Sequence, residues 1–329
     1  MNKQNWIPKC AALLVFFLAP LCVVSAQTDR TFVSALGDDA NNCHRQTPCK
    51  TFAGASTRTN PGGEIDALDP GGFGSIPITK SITIDGGGFL ASALITGTNG
   101  ANINAGPGDV VILRHLSFAS VPGPGGQLGT NGIRVIKARV VYVIDCLIKN
   151  FGNHGIDFEP STGGLLFVTD SNILNNGTGP TDAGIFVKSG ATNAQALAII
   201  DHTRVERNRN GIVARDRSQV SISNCVIAGN QGLGLVAASD STAPVEMNVE
   251  SSVVTLNRLG IQSGSCAATG PAMVRISNVS VTNNAAEGLN HTVAAQGNGC
   301  GNGEIISARN NTILGNHPDG EPTAVPGQK

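Results

Sequence analysis

The residues best equipped for chemistry are Arg134, His154, Asp157, Glu159, Asp182, Lys188, Arg209 and Arg215, with Phe186 among them. Asp157, Glu159, Asp182, Lys188 and Arg215 are the candidate catalytic groups, because general acid and base work needs carboxylates and cations within reach of one another. Arg134, His154, Phe186 and Arg209 are the candidate substrate contacts, the ring of Phe186 being flat enough for one sugar face to stack on it. Their spacing places them in rows. Two residues beyond a recurring glycine stand Arg134, Asp157, Phe186, Val213, Val236, Gln262 and Asn290; four beyond it stand Ile136, Glu159, Lys188, Arg215, Ala238, Gly264 and Thr292. His154, Asp182 and Arg209 fall in the turns that lead into the same segments. Opposite charges on neighbouring repeats, such as Glu159 and Lys188, are also what a solvated sheet face carries. A second charged stretch, Asp201 to Arg209, alternates acid and base around Asp201-His202 and reads as a solvated strand and turn.

The recurring glycine belongs to a repeat, and the repeat must position these side chains. Gly followed by Ile or Leu occurs at Gly132, Gly155, Gly184, Gly211, Gly234, Gly260 and Gly288, at intervals of 23, 29, 27, 23, 26 and 28 residues. Alternating with it is a residue, usually aliphatic, three before an Asn: Leu147/Asn150, Ile173/Asn176, Val205/Asn208, Ile227/Asn230, Val254/Asn257, Val281/Asn284 and Ile313/Asn316. Between the two markers lie short alternating segments, Val220-Ser221-Ile222-Ser223 and Met273-Val274-Arg275-Ile276 among them, whose every second side chain points to one side. A unit this short holds about three strands and no helix, which predicts a solenoid of stacked coils filled by Ile, Leu and Val. The Asn row is expected to be a ladder of stacked amides at a corner rather than a ligand site. Asn-Gly pairs are expected at bends that need positive φ.

Composition agrees. There are 42 Gly, and the only Trp, Trp6, lies in an N-terminal segment that reads as a signal peptide. In residues 1–26, Lys3 and Lys9 precede an apolar stretch from Ala11 to Val24, and Val24-Ser25-Ala26 offers small residues for cleavage between Ala26 and Gln27. The mature chain would keep 20 basic and 23 acidic residues, a formal charge of −3, which argues against nucleic acid as a partner. No later stretch is long and apolar enough for a membrane span, so a secreted or periplasmic monomer is expected.

Six cysteines remain after such cleavage. Cys43 and Cys49 flank a short Pro-containing loop and are expected to pair. Cys266 and Cys300 fall in loops on adjacent coils and form a second expected disulfide. Cys146 and Cys225 are three coils apart, about 14 Å against a Cα separation limit of about 7 Å, and should be unpaired core thiols. With no CxxC or HxxxH spacing and with scattered histidines, a zinc site is not expected.

Ser81-Ile82-Thr83-Ile84-Asp85-Gly86, Asn210-Gly211-Ile212 and the Asn-ended strands resemble the right-handed parallel β-helix proteins of the pectate-lyase-like superfamily, over about residues 60 to 316. Cys43 through Pro48-Cys49-Lys50-Thr51-Phe52 is similar to the N-termini of a bacterial secreted subgroup, mostly of unassigned activity. The resemblance implies an all-β, right-handed single-stranded parallel β-helix of about ten coils with a short capping helix, here Lys50 to Thr57. The expected organisation is a signal peptide at 1–26, a cap at 27–60, the β-helix at 61–316 and a flexible tail at 317–329. Pectate lyases of this superfamily hold Ca2+ with carboxylates and use an Arg as base. Asp157, Glu159 and Asp182 would supply the first role and Arg215 or Arg134 the second, although no family motif fixes them; Ca2+ is the one cofactor the resemblance raises. Of the polygalacturonase motifs, Asn153-His154-Gly155 resembles only one, Gly-His-Gly, so a paired-carboxylate hydrolase lacks its acid pair on matching strands.

Two function classes follow. One is a protein that binds or acts on an extracellular, acidic polysaccharide, lyase-like or glycoside-hydrolase-like if it is an enzyme. The other is a noncatalytic surface or matrix protein that presents the loops at Val121 to Thr130, Thr178 to Ala183 and Ala294 to Gly303 to a partner.

Overall fold

A computed structural model describes residues 27–265, 270–291 and 301–325. The signal peptide with its cleavage point, and Cys266 and Cys300 with their expected disulfide, lie outside the described residues.

Three strands make each coil. Val140–Ile144 is followed by Leu147–Lys149 and Ile156–Phe158, after which Gly164–Thr169 returns to lie in register on Val140–Ile144. Stacking of such coils builds three sheets of eleven, ten and ten strands. They are called here sheet 1 (the sheet of Val140–Ile144), sheet 2 (of Leu147–Lys149) and sheet 3 (of Ile156–Phe158). Pairing between coils is parallel except for Gly301–Asn302, which runs antiparallel to Leu259–Ser265. Because Cβ alternates along a strand, one set of side chains fills the bore. The aliphatic residue after each marker glycine, from Ile133 and Ile156 to Ile261 and Leu289, is buried. Among the described residues no helix is long and apolar enough to cross a membrane.

The corners explain the markers. Between sheets 1 and 2 the chain turns on one residue in the left-handed region: His115, Asp145, Asp170, His202, Asn224, Ser251 and Asn278, with φ from 46° to 55°. Between sheets 2 and 3 a second left-handed residue precedes a buried asparagine, and Asn176, Asn208, Asn230, Asn257, Asn284 and Asn316 form the expected ladder. Each of the first five amides donates to the next at 2.8 to 3.2 Å. Asp319 ends the ladder, accepting from the Asn316 amide at 2.9 Å. Asn150 is not a rung. It occupies the left-handed position itself (φ 67°), and Phe151 takes the ladder place, its N–H bonded to Asn176 Oδ1 at 3.1 Å. Of the Asn-Gly pairs, Gly177 has the expected positive φ of 88°, whereas Gly132 and Gly211, which are also marker glycines, do not. A Cβ on Gly155 would sit 2.6 Å from the carbonyl oxygen of Gly184, and one on Gly211 would sit 2.3 Å from that of Gly234. Close approach of successive coils, not backbone conformation, demands glycine here.

Both ends are closed. Thr28–Val33 already pairs with Thr59–Ala67, so sheet 1 begins inside the expected cap. The capping helix, Phe52–Arg58, is started by Thr51, whose hydroxyl accepts from the Gly54 N–H at 2.9 Å. Phe52 meets Phe73 edge-on at 5.1 Å over the first coil, and Cys43 is joined to Cys49. At the other end residues 318–324 bond to the last coils: Gly288 N–H donates to the Pro318 carbonyl, and Ser307 N–H to that of Ala324. Cys146 and Cys225 are buried, unpaired thiols.

Candidate functional site

Register brings Arg134, Asp157, Phe186, Val213 and Val236 side by side on the outer face of sheet 3, as the glycine spacing implied. Arg134 bonds to Asp157 and, at 3.1 Å, to Glu159. Glu159 is thus paired with Arg134 of the preceding coil and not with Lys188 of the next. Asp157 is only 3 % exposed, and its Oδ1 is buried without a partner. Burial pushes this carboxyl above its ordinary value, outweighing His154 and Arg134. His154 accepts from the Ala183 N–H at 3.0 Å, and burial drives its pKa down against the pull of Asp157 and Asp182. Its ring stacks on Phe186 at 4.8 Å. With His154 on one side and Val213 in register on the other, Phe186 packs, partly buried, against a small apolar cluster.

The remaining candidates do not join this group. The Asp182 carboxylate accepts from the Thr178 N–H at 3.0 Å and the Gly179 N–H at 2.5 Å, which holds its own loop. Arg215 pairs with Asp240 at 2.7 Å. Arg209 has a buried, unpartnered Nε. Lys188 makes no ion pair among the described residues.

The depressed pKa of His154 makes a prediction. A group that is harder to protonate when folded contributes stability above its unfolded pKa, and that contribution is lost as pH falls below 6.5. Asp157, raised, has the opposite sign at lower pH. Urea denaturation at pH 7.5 and 5.5 should therefore show a larger acid loss in the native protein than in His154→Gln, the difference isolating the imidazole. Equal losses would mean that His154 titrates as an exposed histidine.

Sheet 1 carries a surface that the glycine rows did not reveal. Near its C-terminal end a groove of about 440 Å³ is lined by Ser221, Ser223, Asn248, Glu250, Arg275 and Ser277, with Ile306 and Ala308 at its end. Ser221, Asn248 and Arg275 form one row, and Ser223, Glu250 and Ser277 the next. Arg275 reaches Glu246 and Asn248, each at 3.3 Å. The signal was present in the alternating segments at 220–223 and 273–276, whose polar members face outward.

At the other end of sheet 1, Glu64, Asp66 and Asp85 bring carboxylate oxygens within 4.8 Å of one another. Oxygen donors of this kind suit Ca2+. Arg30 bonds to Asp66, however, and Arg114 to Glu64 and Asp85 at 2.8 and 2.7 Å, so all three carboxylates are already engaged by guanidinium groups. Asp157 and Glu159, engaged by Arg134, fit the ion no better. Between the two ends Tyr142 and Phe167 stack at 4.8 Å and 5°, in register with Ile112 and Ile199; their faces close on neighbours along the axis and are not platforms.

No curated protein matches the chain. Among solved structures, a rhamnogalacturonan lyase aligns with a TM-score of 0.58 and 13% identity over 89% of this chain and 84% of its own. The crystal structure of pectate lyase Pel9A aligns at 0.49 and 16% over 88% and 71%, and that of the periplasmic alginate epimerase AlgG at 0.43 and 10% over 81% and 77%. The model of the right-handed β-helix region matches residues 129–317, more than half of the 329 residues, in agreement with the three parallel sheets and the asparagine ladder. The chain thus belongs to the right-handed β-helix family.

Proposed function

We propose that the protein is exported and binds an acidic, uronate-containing polysaccharide along the outer face of sheet 1. The groove at Ser221, Asn248 and Arg275 carries this reading. Its hydroxyl and amide side chains recur at the coil spacing of about 4.8 Å, which offers a linear polymer a repeated set of hydrogen-bond partners. Arg275, 42% exposed at its side chain, presents a planar fork that matches a sugar carboxylate. The Cys43–Cys49 disulfide supports an oxidising, extracytoplasmic compartment. The rhamnogalacturonan lyase shares the fold, which makes its class of polymer the first to test.

Lyase-like action would fall to Asp157 and His154 on sheet 3, the members of the front patch with capacity left for proton transfer: one unpartnered carboxylate oxygen and one uncharged imidazole. Arg134, Asp182 and Arg215 are already bonded, which favours a second, noncatalytic reading as a surface or matrix protein. Since the clustered acids are engaged by arginines, no step is assigned to Ca2+.

Rhamnogalacturonan, polygalacturonate and alginate, with dextran as the neutral control, should be tested for binding by calorimetry and for cleavage by the ultraviolet absorbance of unsaturated product, with and without Ca2+. Uronans should bind and dextran should not. Arg275→Ala should weaken binding about tenfold, equivalent to about 1.4 kcal/mol. If product forms, Asp157→Asn should remove it. Neither binding nor cleavage of any uronan would overturn the proposal.

A further inference from the structure

The middle of sheet 1 turns apolar side chains outward. Val110–Arg114, Val140–Ile144, Gly164–Thr169 and Ala196–Asp201 are successive strands in register there. Their central outward row is Ile112, Tyr142, Phe167 and Ile199, and the row beside it is Val110, Val140, Leu165 and Leu197. Each of these side chains reaches the surface, Ile199 being 38% exposed. Thr83 precedes the central row and Ser221 follows it, so the band is rimmed by polar groups, as interaction sites are. The order along this row indicates what covers it. From Thr83 to Ser221 it runs hydroxyl, isoleucine, aromatic, aromatic, isoleucine, hydroxyl, and it reads the same in reverse. A two-fold interface has to be complementary to itself in this way.

We infer that two copies of this chain pair through the middle of sheet 1, with their coils running in opposite directions. The two-fold axis lies parallel to the strands, midway between Tyr142 and Phe167. Ile112 then faces Ile199 of the other copy, Tyr142 faces Phe167, Val110 faces Leu197 and Val140 faces Leu165. The third outward row, Arg114, Ile144, Thr169 and Asp201, adds charge complementarity. Arg114 of each copy meets Asp201 of the other, with side chains 38% and 31% exposed. An axis along the rod would instead set Arg114 against Val110 and Asp201 against Leu197, burying charge on aliphatic groups. Six coils of about 4.8 Å, each about five residues of 3.3 Å across, offer roughly 480 Å² per copy. A standard interface buries about 800 Å² per partner, so this dimer is weak and forms with rising concentration. Packed sheets cross by about 30°, so the rods diverge beyond these coils, which keeps Asp66 away from Glu250. Asn248 and Arg275 lie outside the contact, which shares only the Ser221 strand of the groove. The inference does not rest on the polysaccharide reading.

Sedimentation velocity of the native protein without saccharide, over about 1 to 500 μM, tests it. Monomer should dominate at the low end and dimer at the high end. Ile199→Lys should weaken association at least about tenfold. Leu94→Lys, at a position 57% exposed on sheet 2, should change it by less than about twofold. Thermal melts report the folding of each variant. Facing sheets stand about 10 Å apart, too far for a disulfide, so a short bis-maleimide reads the orientation. Chains with Ile112→Cys mixed with chains with Ile199→Cys should give a covalent dimer. Neither variant alone should do so above the level of the native chain, whose Cys146 and Cys225 are buried. A monomer at every concentration, unchanged association in Ile199→Lys, an equal loss in Leu94→Lys, no product from the mixture, or cross-linking of Ile112→Cys to itself would overturn the assignment.

Discussion

Asn230→Ala is expected to lower the unfolding free energy by about 3–5 kcal/mol, a large share of the stability of a typical domain. The amide is 1% exposed and works in both directions. Its oxygen accepts from the Asn208 backbone N–H at 2.9 Å and side-chain amide at 3.2 Å; its nitrogen donates to the Val205 carbonyl at 3.1 Å and to Asn257 at 2.8 Å. Alanine leaves the Asn208 N–H and the Val205 carbonyl without side-chain partners in a dry corner, and each unsatisfied buried group costs about 1–3 kcal/mol. Asn150→Ala, at a left-handed corner off the ladder, should cost only about 1 kcal/mol. Urea denaturation of the two variants compares them directly. Because neighbouring amides share partners, Asn208→Ala combined with Asn230→Ala should cost less than the sum of the single changes. Equal, small losses at positions 150 and 230 would show that the amides are solvated.

Arg134→Met should be nearly as damaging, at about 3–5 kcal/mol, because it strands the Asp157 and Glu159 charges where Asp157 is almost wholly buried. Adding Asp157→Asn to that variant should restore much of the loss by removing the buried charge, a coupling that a surface ion pair of at most about 1 kcal/mol cannot produce. Chemical denaturation of the two single variants and the double variant measures this coupling. An additive result would place Asp157 in water and remove the physical basis for treating it as an unusual carboxylate. Together the four states separate structural cost from chemical role, since Asp157→Asn alone keeps shape and removes the titrating group.

Much of the architecture was legible before any coordinate. Glycine and asparagine recur at the coil period because stacked coils approach closely at one corner and share amides at another, and both constraints act on residue type at every turn. Alternation in segments such as 220–223 was equally direct, since a strand has only two faces. Cys146 and Cys225 could be kept apart by counting coils. The misassignments share one cause: a spacing argument cannot see which of two adjacent residues takes a corner. Asn150 was placed on the ladder although Phe151 fills that position, and the Asn-Gly pairs at Gly132 and Gly211 were explained by φ although the carbonyls of Gly155 and Gly234 supply the reason.

Charge placement was legible only in part. The sequence by itself determined the repeat, the inward row of Ile and Leu, and the outward row that begins with Arg134, Asp157 and Phe186, because these depend on periodicity alone. Tertiary structure decided which charges meet. A long guanidinium selects among carboxylates on neighbouring coils by reach, so Arg134 took both Asp157 and Glu159, and Lys188 has no ion pair among the described residues. It also decided that His115, Asp145, Asp170 and His202, separated by irregular intervals of 30, 25 and 32 residues, share one edge. Loops of different length vary the interval along the chain while hydrogen bonding between coils keeps the corner in register, so this column exists in space and nowhere in the linear pattern.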